Sequence, residues 1–119
     1  MDNDMLDALE AIDNMIKKSR EAQAKFKEGT SQHTLQKNRI KSLEIAYSLI
    51  NGELGKEDVS GELTQADLKK SVAPIKSLIS KSEKAKTKLK EESWQYQMLD
   101  RNIAALKIAL PLVLRGMGE

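Results

Sequence analysis

The chain has no cysteine and a single histidine, His33. A disulfide scaffold and thiolate metal sites are excluded, and a zinc site has too few ligands. Aromatics make up only 3% of the residues, one Phe, one Trp and two Tyr, which disfavours a sheet-based core. No apolar run approaches the roughly 20 residues of a membrane span. Glycine-rich phosphate loops, nucleophile elbows and the Glu-x-x-His pair of di-iron bundles are all missing. Asp2, Asp4, Asp7, Glu10 and Asp13 crowd one helix start, which does not suit general acid–base work. The sequence therefore indicates no enzyme, no cofactor and no small-molecule substrate. Its opening, Met1-Asp2-Asn3-Asp4, is acidic and unlike a secretory signal, so the expectation is a soluble, cytoplasmic protein with no membrane role.

What is present favours helix. Charged residues make up 32% of the chain, and Ala, Leu, Ile, Lys, Glu, Ser and Gln supply most of the rest. The length of 119 residues suits one domain, spanning 1–119. Net charge is +2 but unevenly spread: residues 65–119 hold 11 bases against 6 acids, while residues 1–51 hold 8 of each. The C-terminal half could meet an acidic partner, although the imbalance is small.

The strongest signal is internal similarity. Shifted by 63 residues, positions 5–50 align with 68–113 without gaps and share 14 identities in 46 positions. Ile12 and Ile16 fall on Ile75 and Ile79, Lys18-Ser19 on Lys81-Ser82, and Gln32 on Gln95. Ile40, Leu43, Ala46 and Leu49 fall on Ile103, Leu106, Ala109 and Leu112. Any two amphipathic helices share apolar spacing, but periodicity does not require matched polar positions such as Gln32 and Gln95.

Each copy carries apolar residues at helical spacing. The first stripe is Met5, Leu9, Ile12, Ile16 and Phe26, resuming as Ile40, Leu43, Tyr47 and Ile50. The second is Leu68, Val72, Ile75, Ile79 and Leu89, resuming as Leu99, Ile103, Leu106, Leu110 and Val113. Between the copies, 51–64 reads as a loop: Asn51-Gly52 favours a helix stop, and Thr64 caps the helix that follows. Within copy one, Gly29 with Thr30 or Ser31 marks a turn; copy two offers Ser93 without a glycine.

Two all-α architectures follow. One is an up-down four-helix bundle built from two tandem helical hairpins. The other is two long helices in an antiparallel coiled-coil hairpin, because positions 68, 75, 82, 89, 96, 103 and 110 keep a seven-residue beat. Lysines gathered before each suspected break (Lys25, Lys27; Lys84, Lys86, Lys88, Lys90) favour four helices, since helix C-termini attract cations. Pro74 either bends the third helix or lies in its first turn, and Pro111 interrupts the last helix near its end.

Several residues are candidates for partner binding. The last helix is apolar nearly all round, so Ile108 and Leu112 belong either to a central core or to a face shared with a partner. Trp94 and Tyr96 either seal the end of the bundle or form an exposed hot spot. Asn38-Arg39 and Arg101-Asn102 occupy matching places and suit a bundle edge or a partner contact. Lys81, Lys84 and Lys88 share one helical face and could track phosphates, although interleaved Glu83, Glu91 and Glu92 suit a solvated surface better. Ser93-Trp94-Gln95 lacks the glycine of a WxG-type turn, and no family follows from it.

The functional expectation is a non-enzymatic helical interaction module that self-associates as an oligomer or binds a protein partner. An inhibitor, immunity-like or antitoxin-like bundle masking one protein is the first alternative. A weak nucleic-acid binder using the lysine face is the second.

Overall fold

In the computed structural model, residues 2–55 and 63–118 are described, and they form four helices. These are α1 (Asp2–Ala24), α2 (Ser31–Glu53), α3 (Gln65–Lys86) and α4 (Trp94–Gly116). No strand occurs among the described residues. The chain is an up-down four-helix bundle made of two tandem hairpins, α1–α2 and α3–α4. The seven-residue beat does not carry one helix through 87–93, so the two-long-helix alternative does not hold.

Local chemistry makes the turn within each hairpin. After α1, Lys25 N–H and Phe26 N–H donate to the Ala22 and Gln23 carbonyls, both at 3.1 Å, tightening the last turn. Gly29 then adopts φ +91°, a region that L-residues with side chains rarely enter. Thr30 caps α2: its Oγ accepts from His33 N–H at 3.2 Å. The second turn repeats these bonds without a glycine. Lys88 and Leu89 N–H donate to the Ala85 and Lys86 carbonyls, and Ser93 Oγ accepts from Tyr96 N–H at 3.2 Å. Among the described residues none with a side chain has positive φ, so Glu92 passes this point without the left-handed conformation.

The remaining ends refine the expected boundaries. Thr64 caps α3 in a capping box with Asp67, as its sequence suggests. The loop expected from residue 51 starts later, because α2 runs through Asn51 and Gly52 to Glu53. Ile50 is fully buried, Leu54 packs against the core, and Glu53 pairs with Arg115 of α4. Those tertiary contacts outweigh the helix-stopping tendency of Asn-Gly, and Gly55 at φ +75° ends the segment. The part of the expected loop at 56–62 lies outside the described residues. Pro74 is the tenth residue of α3, so it lies inside the helix and not in the first turn.

The core is paired across the two hairpins. Ile12 and Ile75, Leu43 and Leu106, Ala46 and Ala109, and Ile50 and Val113 are each 0% exposed and each 63 residues apart. Each hairpin leaves one apolar face, and the two faces cover each other. α2 packs on α3 and α4, and α1 packs on α4, whereas α1 and α3 do not meet. The principal extents are 40 × 39 × 23 Å, so the bundle is flattened, with α1 and α3 separated by the central α2–α4 contact. Burial is unequal, however. Leu9, Met15 and Ile16 of α1 are buried, while their α3 counterparts Val72, Leu78 and Ile79 are half-buried.

Candidate functional site

The candidate residues fall into different places. Trp94, the first residue of α4, is 67% exposed and seals nothing. Ser93 as cap directs it outward, which corrects the bundle-sealing expectation for this residue. Tyr96 is half-buried, with the Lys86 ammonium 5.0 Å from its ring centre. Lys86 also donates to Asp100 at 2.8 Å, and this bond raises its pKa. Phe26, expected in the apolar stripe, lies in the turn after α1 and is exposed.

Ile108 and Leu112 are half-buried and pack against the core. α4 is not buried all round: Ala104, Lys107 and Pro111 face solvent. Arg101 and Asn102 line a groove between α1 and α4, near Asp7, Glu10, Lys18 and Met98. The Lys18 ammonium lies 3.0 Å from the Met98 sulfur. Asn38 lines the matching groove between α2 and α3 with Lys37, Lys41 and Lys70, and Lys41 approaches Asp67 at 3.8 Å. Arg39 is half-buried, and burial lowers its pKa. Arg101 and Asn102 thus share one groove, whereas of the other pair only Asn38 lines the second. Lys81, Lys84 and Lys88 are all exposed. Beside them, Glu83 accepts from Lys107 of α4 at 3.5 Å, which keeps negative charge on that surface.

A third groove escaped the sequence reading. Val72 and Ala73 of α3 face Pro111, Leu114 and Met117 of α4 across an open apolar trough, with Lys69 and Lys76 beside them. The α3 residues 69, 72, 73 and 76 follow the i, i+3, i+4, i+7 spacing of one helix face. The signal that could have found it is the pattern of mismatches at positions 63 residues apart. Where α4 has Pro111 and Leu114, α2 has Ser48 and Asn51; where α3 has Lys69, Ala73 and Lys76, α1 has Leu6, Glu10 and Asp13.

Hairpin ion pairs show the same divergence. Arg20 of α1 binds Glu44 of α2 at 2.7 Å. At the positions 63 residues later, Glu83 of α3 and Lys107 of α4 face each other at 3.5 Å, with the charges exchanged.

Among the described residues, no group of three or more His, Cys, Asp or Glu could hold a metal ion, and no helix is long and apolar enough to cross a membrane. No protein-family model, no curated protein and no solved structure shows significant similarity to this chain.

Proposed function

We propose that the chain consists of two copies of one helical hairpin, and that it works as a non-enzymatic interaction module whose contact surface is the α3–α4 groove. The observation that supports this reading is the apolar character of Pro111, Leu114 and Met117 on an accessible face. The matching face of the first hairpin carries Ser48 and Asn51. The fully buried layer of Ile75, Leu106 and Val113 supplies this hairpin's part of the core, and of the groove residues Val72 and Met117 also pack against that core. An apolar centre with a charged rim is the usual anatomy of a protein interface. The non-enzymatic part rests on composition, one histidine and no cysteine.

Site-specific photo-crosslinking tests the surface. A photoreactive residue at Leu114 is expected to give a discrete protein adduct in cells, while the same residue at Asn51 gives none. Absence of an adduct at Leu114, or equal diffuse labelling from both positions, would remove the groove from consideration.

A further inference from the structure

A surface of opposite charge to the groove lies on the same molecule, on α1, which does not contact α3. One face of α1 forms a ridge of Leu6, Glu10 and Asp13, spaced i, i+4, i+7 and continued by Lys17, and Glu10 also borders the α1–α4 groove. Leu6 is 44% exposed. Glu10 and the neighbouring Asp7 are exposed, and Asp13 is half-buried with only a surface pair to Lys17 at 3.0 Å. The groove presents the inverse: an apolar floor for a leucine, and Lys69 and Lys76 for carboxylates.

We propose, resting on the reading of the groove as a contact surface, that its occupant is the α1 ridge of a second copy of this chain. Charge decides the mode. Groove against groove would oppose lysines, and ridge against ridge would oppose carboxylates. Only ridge against groove pairs unlike charges around an apolar contact. Such a contact is heterologous: each copy uses one surface to receive and another to insert. Because α1 and α3 do not meet, both surfaces of one molecule are free to engage at once. Association therefore does not stop at a dimer unless the chain of copies closes into a ring. One ridge in one open groove is a small interface, so the contact is weak and salt-sensitive.

Sedimentation or light scattering of the full chain tests this. In low salt, the weight-average mass is expected to rise past that of a dimer as concentration approaches ~1 mM, the range of weak contacts. At roughly 0.5 M salt, where the Debye length is about 4 Å, it falls back towards one chain. The double variant Glu10→Lys/Asp13→Lys alone loses the growth, and so does Lys69→Glu/Lys76→Glu alone. An equimolar mixture of the two regains it, since every ridge then finds a groove of opposite charge. A single chain carrying all four changes also regains it, which separates lost contact from lost folding. Helicity and melting temperature are followed for each variant.

A wild-type chain that stays monomeric throughout overturns the proposal. So does continued association of Glu10→Lys/Asp13→Lys by itself, which would place groove against groove. In either case, a Leu114 adduct with a different protein would leave the groove as a contact surface, so the two readings fail separately.

Discussion

Asp67 sits where α3 begins, and it exchanges two hydrogen bonds with Thr64. It accepts from the Thr64 backbone N–H at 3.3 Å, while the Thr64 hydroxyl accepts from the Asp67 N–H at 3.1 Å. The backbone bond, followed by the side-chain bond and by Lys41 and Lys70, holds the Asp67 pKa below its ordinary 3.8. A lowered folded-state pKa favours the native chain above the ordinary value, and that contribution is lost as pH falls through the lowered one. The start of α3 therefore loosens only below about pH 4, the ordinary carboxylate range. An NMR titration is expected to give Asp67 a midpoint under 3.8, and Thr64→Ala to move it part of the way back, since the backbone donor survives. An unchanged midpoint in Thr64→Ala would mean that the hydroxyl side of the box contributes nothing. Thr64 and Ser93 were legible as caps, and Thr30 as one of two candidates with Ser31, because an N-cap depends on one side chain and the next three residues. Asn51-Gly52 was misread because the forces that keep it helical, burial of Ile50 and the Glu53–Arg115 pair, come from residues far along the chain.

Two antiparallel helices of similar sequence could pair in more than one way, and the inverted ion pairs bear on that choice. Arg20 with Glu44 and Glu83 with Lys107 attract within their own hairpins. If α1 took α4 as its hairpin partner in the same register, Arg20 would face Lys107, and Glu83 would face Glu44. The polarity exchange thus disfavours the wrong pairing as well as supporting the right one. Both pairs are about half exposed, so each contributes little, about 0.2–1 kcal/mol. A double-mutant cycle on Arg20→Glu and Glu44→Arg is expected to show both single changes destabilising and the exchanged pair close to wild type by urea unfolding. Additive losses in the exchanged pair would deny the coupling. The helices themselves were readable from the 3.6-residue period, yet the helix count was not settled by it. The seven-residue beat runs through Leu89 and Tyr96 although α3 has already ended at Lys86.

At the level of the whole molecule, neither hairpin has a complete interior. Ile12 and Leu43 of one hairpin, like Ile75 and Leu106 of the other, belong to a single buried cluster. Short isolated helices are marginal in water, and their stability comes from the packed face. Fragments 1–58 and 59–119 are accordingly expected to be weakly helical alone and to recover helix on equimolar mixing, as read by circular dichroism. A fragment that reaches full helicity unaided, as a monomer, would show that its hairpin is self-sufficient. The shared interior was legible as apolar stripes. The groove was not, because Pro111 and Leu114 fall within a segment whose apolar residues all suit a core, and sequence alone does not say which face ends up wet.

α1 and α3 stand on opposite flanks of the central α2–α4 contact. A change on the outer surface of either one therefore goes unfelt by the other. This insulation leaves each flank free to carry its own charge: one bears Asp7, Glu10 and Asp13, the other Lys69, Lys70 and Lys76, while the interior has the same residue types at Ile12 and Ile75, and at Leu43 and Leu106. A symmetric scaffold can in this way acquire a head and a tail without rebuilding its centre.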